Sequence, residues 1–490
     1  MMRRVLYVVV TLLLAACAGG TPGSSIPTPA NGFRPEDRVL VGDFTRVLAL
    51  AATTDRIYVV YPTAIAIWKP LEHRWEVPRS PPRPEHLRGV TRAMVDPLDR
   101  TLWLMAGSQY IHYDPLANRW DEGVFAVPPR RLVPGPTVDD AMRDLPQLRA
   151  LAPTIAMGPL LNRGTLTAAA RDPQGNGWYL GTSTRGLVFF DRMATDVQPM
   201  SLGLGGDLVG AIALTPDGLW VATDFDGLHP ASLTQLTTEL DAAQPIFGPP
   251  ARGLPFTAAR AMTATAAALW LATDRGVVRV SQVDRQVDHF GLTNGLRDDR
   301  ILAIAQHRGR IYAGTMRGLA VAAGDTGFVM PVPSFGDPVY SLLSAGDTLW
   351  VGTLRGVFAL LPGRDELQVS DGFRALGGSY GPIVGIGYIA DTLVAMTSSQ
   401  LLWRDRVSGG WSAGPDLSRQ LGPLVAFAAT PRGAWVGGPR GAAFVRAAGN
   451  ALQYILAPVQ LPGELTSIAT RGQYVWIGTR AGLVRFLLTN

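Results

Sequence analysis

Ile311-Tyr312-Ala313-Gly314-Thr315-Met316-Arg317-Gly318-Leu319 sets out one β-hairpin in nine residues. An apolar-aromatic pair and a small residue lead into Gly-Thr. A short turn, a glycine and a new apolar run come next. The second glycine has no Cβ and so permits the positive φ of a tight hairpin. The same unit returns as Trp178-Tyr179-Leu180-Gly181-Thr182, Leu219-Trp220-Val221-Ala222-Thr223 and Leu269-Trp270-Leu271-Ala272-Thr273. It returns again as Leu349-Trp350-Val351-Gly352-Thr353, Val475-Trp476-Ile477-Gly478-Thr479 and, in a degraded form, Ala434-Trp435-Val436-Gly437-Gly438. Weaker copies stand at Ile57-Tyr58, Leu102-Trp103 and Leu393-Val394. The first two share a further signature, Trp68 to Trp75 paralleling Tyr113 to Trp120.

The markers, aromatic except for Val394, fall at 58, 103, 179, 220, 270, 312, 350, 394, 435 and 476, and eight of their nine intervals lie between 38 and 50 residues. That period matches a four-stranded propeller blade. Outward from the hairpin, Ile301-Leu302-Ala303-Ile304-Ala305 reads as a first strand buried on both faces. Blades cannot bury both faces alone, so neighbours must cover them, with the repeated Trp or Tyr filling the space between. The last copy ends soon after its third strand, at Val484-Arg485-Phe486. Arg38-Val39-Leu40-Val41-Gly42 has strand character and supplies a fourth strand that would close a ring and protect its edges. The expectation is an all-β chain over 37–490, a β-propeller of four-stranded blades with about ten repeats. One ring closed by the N-terminal strand is the main reading, and two smaller propellers are the alternative.

The long interval between 103 and 179 comes from an insertion at 121–164. Thr137 is placed to cap a short helix with Asp139 and Asp140 in its first turn, and Pro146 disturbs any helix beyond it. A long insertion in a repeat array is often functional; a rim loop packed on outer strands is the plain alternative.

Composition agrees with this architecture. The 490 residues hold 55 Gly and 38 Pro, well above the soluble average of roughly 12% combined, which excludes helical bundles and coiled coils. Charged residues are 17% and hydrophobic residues 47%, which excludes wholesale disorder. The formal charge is +5, and +3 once Arg3 and Arg4 are removed with a leader; this is no nucleic-acid footprint.

Residues 1–16 have the plan of an export signal: Arg3 and Arg4, then an apolar stretch from Val5 to Ala16 too short to span a bilayer. Leu14-Ala15-Ala16-Cys17 resembles a bacterial lipobox, and Cys17 is the only cysteine. The resemblance implies a lipid thioether at Cys17, multiple acyl chains for firm anchoring, and, with Ala18 rather than Asp next, the outer membrane in preference to the inner one. Residues 17–36 are rich in Gly, Ser, Pro and Thr and read as a flexible tether. No later stretch offers ~20 uninterrupted apolar residues, so the lipid is the sole expected membrane attachment.

Gly295-Leu296, the strand from Ile301 and the hairpin from Ile311 together resemble the two-component regulator propeller repeat, with Asn294 in place of its usual Asp and Tyr312 in place of Trp. Gly253-Leu254-Pro255 and Thr353 before Arg355-Gly356-Val357 match other parts. The likeness covers roughly 165–490 well and 37–120 weakly. It implies a propeller and, in many relatives, a periplasmic sensor recognising glycans. This chain shows neither a membrane helix nor a kinase after the repeats, so only the fold carries over.

Catalytic and metal signatures are sparse. His73, His86, His112, His229, His289 and His307 are dispersed, with no H-x-H or H-E-x-x-H. There is no P-loop. Gly203-Leu204-Gly205-Gly206 reads as turn chemistry, and Asp224, Asp226, Asp274, Asp298 and Asp299 read as turn residues. One constellation stands apart: Arg185, Arg275, Arg317, Arg355 and Arg440 each precede the hairpin glycine, with Arg480 one residue off. Equivalent turns of a propeller share a face, and arginine forks suit carboxylate, sulfate or phosphate. Composition alone also yields this pattern, since Lys69 is the only lysine. The expected function is a non-catalytic, envelope-anchored binding or interaction platform for a protein or anionic glycan, with no cofactor, metal or nucleic acid. The alternative is a propeller lyase or hydrolase acting on envelope or extracellular polysaccharide.

Overall fold

The computed structural model describes residues 37–488, apart from 124–125, 159–160, 194–195, 228, 247–252, 332–334, 364–366, 371–372, 374–379, 447–450 and 458. The signal segment, Cys17 and the tether lie outside the described residues. The described chain folds into ten antiparallel sheets, nine of four strands and one of five. Each sheet carries one of the ten sequence markers on its second strand, so every repeat is one blade.

The Gly-Thr signature arises from packing. The glycine sits where a Cβ would strike the start of the neighbouring blade: at Gly314 it would lie 2.6 Å from Val339 Cγ1, and at Gly478 2.6 Å from Val209 Cγ1. The threonine is buried and bonds across its own hairpin, Thr315 Oγ1 donating to the Gly318 carbonyl (2.9 Å) while accepting from the Arg317 amide (3.0 Å). Thr273, Thr353 and Thr479 make the same pair of bonds. Gly318 has φ 110°, as the turn requires. The aromatic residues fill the space between blades, with Trp220, Trp435 and Trp476 fully buried.

Strand Val39–Val41 pairs antiparallel with Gly482–Leu487, Leu40 facing Val484, and completes the last blade as its outer strand. The closing strand is thus where the sequence placed it. The circle it closes is smaller than ten. First strands Val209–Thr215, Ala259–Ala264, Ile301–His307, Val339–Ala345, Gly385–Ile389, Ala426–Thr430 and Leu465–Arg471 touch in succession, and the seventh returns to the first. Thr466 Oγ1 donates to the Val209 carbonyl across that seam. Blades 4 to 10 therefore form a closed ring of seven. The single ring of ten is corrected toward the alternative of smaller groups.

Blades 1 (49–76), 2 (90–122) and 3 (166–200) form a separate run in the order 3-1-2, with strand Ala49–Ala52 touching both Leu166–Arg171 and Val90–Val95. Side chains alternate across a strand, so each end blade has one face turned to blade 1 and one turned away. In blade 3, Tyr179 and Leu187 pack with Val59, Ala66 and Trp68 of blade 1. Its other face, Trp178, Leu180, Val188 and Phe190, is covered by Ala141, Leu145, Leu148 and Ile155 of the insertion. Those residues belong to helices Val138–Asp144 and Leu148–Ile155 and the turn between them. Thr137 caps the first in a capping box with Asp140, and the helical path breaks around Pro146. Trp178 Nε1 donates to Asp144 Oδ2 at 2.9 Å.

Blade 2 is finished the same way. Leu102, Leu104 and Ile111 meet blade 1, while Met94 and Trp103 lie under Ala126 and Leu132 of the insertion. Arg131 ties this cover down through Asp96 (2.6 Å), and Val133–Pro134 adds a fifth strand beside Val90–Val95. The insertion packs on blade faces and an inner edge. It stands in for the neighbours that the end blades lack.

The run and the ring meet at the linker after the closing strand. Phe44 stacks on Tyr61 with centroids 4.2 Å apart. Asp43 bridges Leu204 through backbone and pairs with His229 Nε2 at 3.2 Å. The Arg38 guanidinium donates to the carbonyls of Pro81, Pro82, Val459 and Gln460, binding the closing strand to both halves.

Candidate functional site

In the ring blades the hairpin between second and third strands lies beside the linker that enters a first strand. Asp274 N bonds to Ala258 O, Arg440 N to Leu421 O and Arg480 N to Glu464 O. These hairpins and linkers make one face. Five of the six sequence-selected arginines sit on it: Arg275, Arg317, Arg355, Arg440 and Arg480. Arg185 does not, because its hairpin belongs to blade 3 of the separate run.

Four of the five turn to the linker entering their own blade. Arg317 faces Asp298 at 3.9 Å, Arg355 pairs with Asp337, and Arg480 pairs with Glu464 at 3.0 Å. Arg440 donates to the Ser418 and Arg419 carbonyls at 2.9 and 2.7 Å. Arg275 instead offers its carbonyl to His289 Nε2. The paired arginine side chains remain 60–72% exposed, and exposed pairs contribute only about 0–1 kcal/mol. The pairs orient the guanidinium groups without withdrawing them from solvent. Sequence periodicity missed their acidic partners because these lie in linkers of unequal length.

Inside this circle lies the mouth of the ring, where its first strands begin. First strands open with a β-bulge that leaves Gly210, Arg260, Leu302, Tyr340 and Thr466 out of the pairing. Val384 and Val425 take the same position in blades 8 and 9, their amides bonding to Met396 and Gly437. Bulges re-aim side chains at such rims. The residue after the hairpin threonine stands close by. From blade 6 to blade 9 the two sets are mainly apolar, with Leu302, Met316, Tyr340, Leu354, Val384 and Val425; Leu354 is 53% and Val425 48% exposed. From blade 10 round to blade 5 they include Arg480, Asp224, Arg260 and Asp274. The mouth is divided into an apolar arc and a charged arc.

Within the charged arc, burial pushes the Asp224 carboxyl up to about 6, aided by the nearby Asp274 charge and opposed by the Ala259 amide, Arg260 and Arg480. The Ala259 amide donates to its Oδ1 at 2.8 Å. Burial also pushes Asp274 upward, but hydrogen bonds from the Thr257 hydroxyl and the Thr257 and Ala258 amides prevail and hold it below the usual range. Asp298 and Asp299 likewise serve turns, accepting from the Arg300 and Leu292 amides.

The histidines stay apart. His112 pairs with Asp121, His86 with Glu122, and His229 with Asp43 and Asp226. Among the described residues no group of three His, Cys, Asp or Glu side chains is arranged to hold a metal. Among them also, no helix is long and apolar enough to cross a membrane.

No protein-family model matches the chain, and no curated relative does. Among solved structures, a virginiamycin B lyase from Staphylococcus aureus, an inactive variant with quinupristin, is similar at 14% identity and TM-score 0.45; the match covers 57% of this chain and 94% of that one. The WD40 β-propeller domain of Doa1 matches at 10% identity and TM-score 0.44, over 57% and 92% of the two chains. PorZ, a surface component of the type-IX secretion system of Porphyromonas gingivalis, matches at 11% identity and TM-score 0.44, over 90% of this chain and 69% of that one.

Proposed function

We propose that the chain is an envelope lipoprotein anchored through Cys17, and that its seven-bladed ring is a non-catalytic interaction platform. The hairpin face takes the partner, for which we favour an acidic protein over an anionic glycan. One observation carries this reading: half-exposed Leu354 and Val425 stand beside the exposed guanidinium groups of Arg317, Arg355 and Arg440 on a rigid rim. Apolar anchors within a ring of arginines are the composition of a protein-binding patch. The two-component regulator repeat accounts for the hairpin sequence, while the sensor role of that family is not part of the proposal.

Crosslinking in the native envelope, with mass spectrometry of the products, identifies the partner. Leu354→Asp combined with Arg317→Ala and Arg355→Ala is expected to abolish that crosslink, while Arg100→Ala, between blade 2 strands, leaves it intact. An unchanged crosslink in the triple variant rejects the hairpin face as the docking site. Cys17→Ser is expected to move the protein from the membrane to the soluble fraction.

A specific observation favours a second reading, a polysaccharide lyase or hydrolase. Asp224, with its raised pKa, stands at the mouth of the ring near Arg260, and a carboxyl poised near neutrality suits general acid–base work. Turnover of an acidic polysaccharide that disappears in Asp224→Asn would establish it.

A further inference from the structure

We infer that the junction between the three-blade run and the ring holds a binding site for a small amphipathic acid, an apolar body ending in a carboxylate. A cleft of about 630 Å³ opens there, within the range of ligand pockets. Five separate stretches line it: Phe44–Thr45 of the linker, Thr154, Met157, Gly158 and Leu161 of the insertion, the Arg185–Gly186 hairpin of blade 3, Pro199 and Ser201–Leu204 leading into the ring, and Ala243 of blade 4. Its body is apolar, with Phe44, Met157, Leu161 and Leu202 among the walls.

Arg185 supplies the charge. It is the hairpin arginine that the ring face leaves out, and no described residue pairs with its guanidinium. It is only partly exposed, unlike the exposed arginines paired on the ring. An unpaired guanidinium on the wall of an apolar cleft matches a carboxylate, which takes two parallel hydrogen bonds from it.

The close fit of the linker rests on two glycines. A Cβ at Gly203 (φ 88°) would lie 2.4 Å from the Phe44 ring, and one at Gly186 (φ 80°) 2.8 Å from the Phe44 carbonyl. The floor is therefore fixed by backbone, and the site is complete only while the two halves hold this arrangement.

Isothermal titration with dodecanoate below its critical micelle concentration tests the inference on the full chain. Wild type is expected to bind. Arg185→Gln is expected to weaken binding at least tenfold, as is Leu161→Glu, which places a like charge at an exposed wall position. Thermal melts of both variants should match wild type. Dodecanol is expected to bind at least tenfold more weakly than dodecanoate. Arg317→Ala with Arg355→Ala should leave dodecanoate binding untouched, so failure of the platform reading and failure of this one are separable. The inference is overturned if wild type does not bind dodecanoate, if both variants bind it as wild type does, or if dodecanol binds equally well.

Discussion

The ring and the three-blade run solve one problem by different means. A blade is a sheet with two apolar faces and must be covered on both. The ring covers every face by closing on itself, and the single strand Val39–Val41 secures the seam blade. The run has two terminal faces, and one insertion covers both: two helices over Trp178 of blade 3 and a short loop over Trp103 of blade 2. Closure suffices for seven blades; three need a substitute neighbour. An insertion that reads in sequence as a functional interruption is thus a structural cap that also lends one wall to a cleft.

The largest effects should separate the two regions. Trp476→Ala and Trp178→Ala each remove a fully buried indole, at a cost of about 3–5 kcal/mol. Hydrogen exchange is expected to show lost protection in blades 10 and 4 for the first variant. For the second, protection should fall in blade 3 and the insertion helices. Identical exchange patterns would break the distinction between ring and run. Trp350→Ala should cost less, because its side chain is only partly buried.

A smaller pair of variants asks whether one packing rule spans both regions. Gly314 in the ring and Gly181 in the run would each place a Cβ 2.6 Å from a valine Cγ1 against which the hairpin packs. Substitution by alanine should cost about 1–3 kcal/mol at either site by overpacking. Gly336→Ala, where a Cβ meets nothing within 4 Å, should be close to neutral by chemical denaturation. Unequal costs at the two clash sites would show that the regions do not share the rule.

Smaller again is the loss of the hairpin hydroxyl. Thr315→Val and Thr182→Val each leave a carbonyl and an amide without their side-chain partner, which should cost roughly 1–3 kcal/mol at most. Matching shifts in denaturation midpoint would confirm the equivalence.

The seam between the regions should respond to pH. Burial works to lower the His229 pKa, but the hydrogen bond to Asp226 and the charges of Asp43 and Asp226 prevail and raise it above 6.5. A raised histidine pKa contributes stability that is whole below 6.5 and fades as pH climbs through the raised value. Asp43 is itself raised by burial, so its desolvation cost builds as pH climbs from the ordinary carboxylate value to that elevated one and is constant above it. Melting temperature is expected to decline as pH rises above 6.5, and His229→Gln to flatten that decline. An equal slope in the variant would remove His229 from the seam.

Much of this was legible in the chain. The Gly-Thr hairpin gave blade positions because its glycine and threonine answer to contacts repeated in nearly every blade. Arg38 to Gly42 was recognisable as the closing strand because the last repeat lacks one. Neighbour order was not legible: both faces of a blade carry the same residue types, so nothing in Val209 marks its contact as Gly478 and not blade 3. The arginine partners Asp298, Asp337 and Glu464 sit in irregular linkers, outside any period. The cleft around Arg185 draws on segments more than a hundred residues apart and has no linear signal.

The central claim is that blade 10, not blade 3, adjoins blade 4. A side-chain-resolution density map viewed down the ring axis tests it directly. Seven blades are expected, with Leu465–Arg471 beside Val209–Thr215 and Thr466 reaching the Val209 carbonyl. Finding Leu166–Arg171 beside Val209–Thr215, in a circle of ten, would contradict it.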